Sequence, residues 1–288
     1  GRSSAALRCR GCPASVSLTA GSVLPARHVP LSVWFWGAYL VTTQTPGQSA
    51  LHFQRQLGIR RYETAFQALH KLRAGMVRPD RDTIGEQYPV EIDETLVGGR
   101  TRGEGRGVHH KATVVGAIEV RRRREGENRA VEGRRGHTEG KRGPRAVYAG
   151  RLRLRLVPSR GAKDLTAFVN ENVAKGAVVR TDGWQGYDGL AKLGYDHEAA
   201  VLEGDPEKTE AHLPMIHVVF SNLKTWLLGT HHGVSQQHLP AYLNEYVFRF
   251  NRRFYPMTAF NSVLGLVVRA VGPTYEELYS GKWVHPGA

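Results

Sequence analysis

Two stretches constrain this chain more than any others: VEIDET around Asp93 and VVRTDGWQGY around Asp182. Each is an apolar run of strand character that delivers one aspartate ahead of a glycine-containing turn. A carboxylate at the end of a buried strand is costly to desolvate unless a cation or a hydrogen-bond donor meets it. Two such placements in one chain point to a shared metal site. Each aspartate alone fits a turn or helix cap equally well.

Cleavage or transfer of a DNA phosphodiester needs an activated oxygen nucleophile and a stabilised leaving oxygen. Two divalent cations about 4 Å apart, held by carboxylates, meet both needs. In that reading Asp93 bridges the ions and Asp182 binds one of them, as Mg²⁺ or Mn²⁺. The third ligand comes from a helix behind the sheet. His217, on the helix PMIHVVFSNLKTWLLG, is the candidate, with Glu203, Glu207 and Glu210 as acidic rivals and Asn222 on the opposite side of the helix from Lys224. A core histidine is the plain alternative. Imidazole suits manganese better than magnesium, so metal preference is expected to differ from that of an all-acid site. Motifs of other hydrolases are missing: there is no G-x-S-x-G, P-loop or H-E-x-x-H.

Charge names the partner. Lys and Arg number 40 against 26 Asp and Glu, a formal net charge of +14. Arginine matches phosphate with a fork of donors, so nucleic acid is the first partner to consider, with a basic solubility surface or an anionic lipid as alternatives. The most apolar segment, LSVWFWGAYLV at 31–41, is about half the length of a bilayer crossing, so no membrane partner is expected.

Along the chain, residues 25–80 read as a helical region. SALHFQRQLG and RRYETAFQALHKLRAGM, joined by a tight turn at Gly58, suggest a helix-turn-helix whose second helix offers Arg60, Arg61 and Lys71 to DNA. An ordinary helical bundle with a basic face fits the same pattern. After a polar linker, strands and then strands alternating with helices argue for an α/β mixed sheet covered by helices across 88–272. The insert 121–145 carries ten Lys/Arg and four Asp/Glu, and its Arg121, Arg122 and Arg123 are expected phosphate contacts. Arg249 and Arg252, near the end of the helix HLPAYLNEYVFRFNRRF, are two more. Residues 273–288 form a tail. Cys9 and Cys12 are the only cysteines, half of a zinc site or a redox pair, which suits a reducing cytoplasmic setting.

At these residues the chain resembles a known family. VEIDETLVGG, VVRTDGWQGY and above all SNLKTWLLGTHHGVSQQHLPAYLNEYVFRFNRR are similar to the corresponding blocks of bacterial insertion-sequence transposases with a ribonuclease H-like DDE domain, in particular the ISXO-like group. SLTAGSV and WFWGAYL resemble stretches that precede the catalytic domain there. The resemblance implies a ribonuclease H-like fold and an enzyme that binds terminal inverted repeats, cleaves with water and joins the freed 3′-hydroxyl to target DNA as a homo-oligomer in the bacterial cytoplasm. It puts Asp93 and Asp182 in the first two acid positions. It puts His217 where many relatives carry glutamate, seven residues before Lys224, the expected phosphate contact. A same-fold nuclease without joining, and an inactive DNA-binding protein, are the alternatives. Family members begin with a four-cysteine ribbon. Cys9 and Cys12 resemble its second pair, so residues 1–24 are expected to be a remnant from an incomplete N-terminus, with Zn²⁺ doubtful.

Overall fold

The structure is a computed structural model that describes residues 6–8, 10–12, 15–17, 29–78, 81–98, 111–122, 147–202 and 205–286. The described elements run β1 (Ala6–Arg8), β2 (Ser15–Ser17), α1 (Leu31–Thr43), α2 (Ala50–Gln56), α3 (Tyr62–Ala74), β3 (Val90–Gly98), β4 (Lys111–Arg122) and β5 (Val147–Val157). Then come α4 (Ala162–Asn172), β6 (Val178–Asp182), β7 (Asp196–Ala200), α5 (Pro206–His212), α6 (Ile216–His231), α7 (Leu239–Phe250), α8 (Pro256–Val267) and α9 (Tyr275–Ser280). They divide into two compact units, one of Gly1–Arg81, Gly98–Lys111 and Leu223–Ala288, the other of Asp82–Val97 and Ala112–Asn222.

The second unit is built on a five-stranded sheet in the order β5-β4-β3-β6-β7. β4 and β5 pair antiparallel, whereas β6 runs parallel to both β3 and β7. A mixed sheet of this order, flanked by helices, is consistent with the ribonuclease H-like α/β fold. Strand alternation sorts the residues. Val90 and Ile92 of β3 and Val179 of β6 join Leu165, Phe168 and Val169 of α4 in one core. Each large apolar side chain buried there contributes about 1.5–3 kcal/mol. The opposite face carries Glu91 and Asp93. On that face Gly116 is required, because a Cβ there would lie 2.9 Å from Phe220 and 3.0 Å from Ile216 at the start of α6.

Two features of this sheet differ from simple pattern reading. RLRLRLV predicts arginines facing water, yet Arg153 is buried, with its guanidinium donating to the Asp82 carbonyl at 2.8 Å. Beside it, Arg151 donates to the buried Glu119 carboxylate at 2.9 Å. The edge strand β7, with sequence DHEAA, gives no apolar signal and forms because β6 presents a free edge beside it.

The first unit is helical. Trp34, Ala38 and Val41 of α1, Phe53 of α2, Leu69 and Leu72 of α3, Phe248 of α7 and Val263 and Val267 of α8 share one core. The sequence predicts α7 and α8 as part of a domain spanning 88–272; the structure groups them with the N-terminal helices. The reason is their apolar faces: a Cβ on Gly75, at the end of α3, would sit 2.4 Å from Val267. Arg73 and Glu245 form a buried ion pair at 2.8 Å, and the Arg73 guanidinium lies 3.9 Å over the Tyr242 ring. Gly58, at φ +63, makes the turn between α2 and α3. At the N-terminus β1 and β2 form a two-stranded antiparallel ladder. Cys12 is exposed and free, and Cys9 lies outside the described residues. No helix among the described residues is long and apolar enough to cross a membrane.

Candidate functional site

The parallel register brings the two aspartates together. Val90 pairs with Val179 and Glu91 with Arg180. Continued two residues past the last paired position, the same offset points Asp93 and Asp182 to one face of the sheet, and the Asp182 charge is felt at Asp93. Asp93 is buried, at 8% exposure, and Asp182 is partly buried. His217, on the first turn of α6, reaches the same place, with Nε2 3.5 Å from Asp93 Oδ2.

Each aspartate has one oxygen fixed by backbone. The Glu94 N–H donates to Asp93 Oδ1 at 2.7 Å, and the Trp184 N–H donates to Asp182 Oδ1 at 3.3 Å. Burial first, then the charges of Glu94 and Asp182, push the Asp93 pKa from 3.8 up to about 7. Asp182 is raised as well, by burial and by Glu94, against the lowering influence of the Trp184 N–H, Arg160 and His217. Carboxylates crowded in a poorly hydrated place are strained as anions, and a divalent cation relieves that strain. The donor set of two carboxylates and one imidazole fits Mg²⁺ or Mn²⁺. The arrangement is open: His217 is exposed, and the ligand atoms of Asp93, Asp182 and His217 do not close to within 4.8 Å of one another. Repulsion between the two carboxylates opposes a tighter cluster.

Five residues that sequence reasoning missed support this geometry. Glu91 Oε2 accepts the backbone N–H groups of Met215 and Ile216, each at 2.8 Å, and so holds the start of α6 against β3. Burial raises the Glu91 pKa to about 7 despite those two bonds. Glu94 accepts from the Tyr187 hydroxyl at 2.6 Å and from Arg160 Nε at 2.6 Å. The Arg160 guanidinium lies 4.7 Å over the Trp184 ring, and Trp184 Nε1 donates to the Arg160 carbonyl at 3.0 Å. Alternation in VEIDET puts Glu91 on the face of Asp93 and was the one available signal for it. Nothing local to Arg160 or Tyr187 announces their shared partner.

The other expected residues are spread out. Lys224 is exposed on α6, two turns beyond His217. Glu207 is exposed in the first turn of α5, Asn222 is exposed on α6, and Glu203 and the Glu210 side chain lie outside the described residues. Arg60, Arg61 and Lys71 line one groove of the helical unit together with Gly58, Thr64 and Gln67. Arg121 is paired with Glu119 at 2.8 Å and lies 4.8 Å over Tyr88. Arg122 is exposed at the strand end; Arg123 and the rest of the basic insert up to 145 lie outside the described residues. Arg249 and Arg252, expected phosphate contacts, turn inward. Arg249 donates to the Thr45 carbonyl at 2.8 Å, and also to that of Gln44. Arg252 stacks 3.9 Å over Phe248, and burial lowers its pKa to about 10. Long arginine stems on a helix that faces a core fold over apolar neighbours, and their heads take the nearest carbonyls.

A search of curated proteins and one of solved structures returned no match. Residues 85–251, which contain Asp93, Asp182 and His217, match the ISXO2-like transposase domain, and the chain therefore belongs to that group of insertion-sequence DDE transposases.

Proposed function

We propose that this protein binds the terminal inverted repeats of an insertion sequence, cleaves one strand with water and joins the freed 3′-hydroxyl to target DNA. The observation that supports the reading is that β3 and β6 pair in parallel, with the Asp182 charge acting on Asp93 and His217 Nε2 3.5 Å from Asp93 Oδ2. In this reading Asp93, Asp182 and His217 hold the divalent ions. Bound there, Mg²⁺ or Mn²⁺ supplies activation of the nucleophilic oxygen and charge stabilisation of the leaving oxygen.

The protein's own groups do the positioning. Glu94 fixes Asp93 Oδ1 through its backbone N–H, which leaves Oδ2 turned toward His217. Glu91 sets the height of His217 by anchoring the start of α6. Lys224, farther along that helix, contacts a phosphate near the scissile bond. Arg60, Arg61 and Lys71 in the groove beside the α2–α3 turn form the phosphate-binding part of a helix-turn-helix reader. DNA and a second copy of the chain, pairing two element ends, are the partners.

The test is incubation of purified protein with a duplex of its element's end, target DNA and Mg²⁺ or Mn²⁺. Nicking followed by joined product supports the proposal. Nicking without joining identifies a same-fold nuclease, and binding without nicking identifies an inactive DNA-binding protein; either overturns it.

A further inference from the structure

We propose that His70, His238 and His285 form a binding site for a divalent transition metal, with zinc the ion that suits their chemistry. It lies in the helical unit and is independent of the catalytic reading. Each of the three offers a ring nitrogen, and these nitrogens all lie within 4.8 Å of one another. His70 projects from α3, His238 directly precedes α7, and His285 belongs to the segment after α9.

Burial separates this trio from an ordinary aromatic cluster. His70 is fully buried at 0% exposure and His285 at 3%. Both ring nitrogens of His70, and Nε2 of His285, find no hydrogen-bond partner among the described residues. An unmet buried polar atom is destabilising, a cost that phenylalanine at position 70 would avoid. The rings meet as ligands can, with the His70 centroid 4.9 Å from that of His238 and 5.5 Å from that of His285. Burial, the largest cause in each case, holds all three imidazoles below their ordinary pKa, His285 at about 4, which keeps their lone pairs available at neutral pH. The nearby cationic Arg73 is offset by its ion pair with Glu245.

Three imidazoles are a zinc donor set with a fourth position left for water. Zn–N bonds of about 2.0–2.1 Å set ligand nitrogens about 3.4 Å apart, so no pair needs to close by more than roughly 1.4 Å. Ligation also takes His285 Nδ1 from the Trp283 indole, which donates to it at 3.1 Å. If Nδ1 binds the ion its lone pair is used, and if Nε2 binds, the proton moves to Nδ1. The site would fasten the Trp283–His285 segment to α3 and the start of α7.

The experiment uses the full chain carrying Cys9→Ser, Cys12→Ser and Asp93→Asn, so that the other candidate ligand groups are disabled. After stripping with chelator, Zn²⁺ alone is added, and bound metal is measured following gel filtration, with affinity from competition against a chromophoric chelator. One equivalent should be retained. Adding His238→Gln or His285→Gln should weaken binding by more than about tenfold, the lower bound for lost outer-sphere partners. No retained zinc, or unchanged affinity in both histidine variants, overturns the proposal. If those variants do not fold, Co²⁺ added to the parent decides: intense visible bands of tetrahedral nitrogen ligation support the site, and the weak bands of hydrated Co²⁺ overturn it.

Discussion

Glu91 Oε2 accepts the backbone N–H of Ile216 at 2.8 Å, across a sequence separation of 125 residues. This bond joins the strand that carries Asp93 to the helix that carries His217, one residue past the contact. The Met215 N–H makes the same bond at 2.8 Å. A single buried carboxylate thus caps the otherwise unpaired donors of a helix start and aligns two proposed metal ligands.

Replacing Glu91 by Ala should therefore lower stability by about 2–4 kcal/mol, since two buried N–H groups lose a charged acceptor. It should also slow strand cleavage, although Glu91 does not touch DNA in this reading. Glu91→Gln keeps an acceptor oxygen and separates the two effects of charge and position. The folded-state pKa of about 7 stands above the ordinary 4.5, so the folded protein holds this proton more tightly than the unfolded chain. That stabilisation is complete below pH 4.5 and is lost as pH rises through 7, by about 3 kcal/mol in total. Denaturant titrations of chelator-treated protein from pH 4.5 to 8 should show a shallower decline for Glu91→Gln than for the unsubstituted chain.

Asp93→Asn and Asp182→Asn should each reduce cleavage at least about 10³-fold, because several kcal/mol of charge stabilisation go with the carboxylate. DNA affinity should stay within about twofold. Asp93→Asn should also raise the melting temperature at pH 8, since it removes a charge held near two other carboxylates. Wild-type cleavage rates in either variant would discard this site assignment.

His217→Glu should preserve cleavage and shift metal preference from Mn²⁺ toward Mg²⁺, because a carboxylate is the harder ligand. The ratio of single-turnover rates in the two metals is the measurement. An unchanged ratio at full activity would show that position 217 is not a ligand.

Arg60→Ala combined with Arg61→Ala should weaken binding to specific and unrelated duplexes alike. If each arginine neutralises one phosphate, the slope of log affinity against log salt falls by about 1.8 in total. Fluorescence anisotropy across a salt series reads it. Arg249→Ala should leave that slope unchanged and lower stability instead, because its guanidinium is committed to the carbonyls of Gln44 and Thr45.

His231 should make the helical unit acid-labile. Its ring lies 4.7 Å from Tyr242 and 4.8 Å from Trp226. Burial first, then the charges of Arg73, Arg249 and His232, lowers its pKa from 6.5 to about 2. The folded state binds this proton less tightly than the unfolded chain. Stability is therefore complete above pH 6.5 and falls as pH drops below it, with a slope approaching 1.4 kcal/mol per pH unit. Denaturant titrations between pH 7 and 4.5 should show a smaller loss for His231→Phe, by about one proton's worth of slope.

Local pattern carried much of this protein. Alternation in VEIDET and the apolar run VVRTD marked the two aspartates as strand-end residues, and helical spacing put Ile216, Phe220, Leu223 and Leu227 on the buried face of α6 with His217 and Lys224 on the exposed one. Periodicity reports which way a side chain points, because a strand repeats every two residues and a helix every 3.6. Which distant residues meet is a different matter, set by pairing register and by the order in which elements stack. Tertiary structure alone paired the strands of Asp93 and Asp182, gave Glu91 the N–H groups of α6, tied Glu94 to Arg160 and Tyr187, drew α7 and α8 onto the N-terminal helices, and gathered His70, His238 and His285. Burial then decided their chemistry, since the cost of a charge depends on surroundings that no single segment supplies.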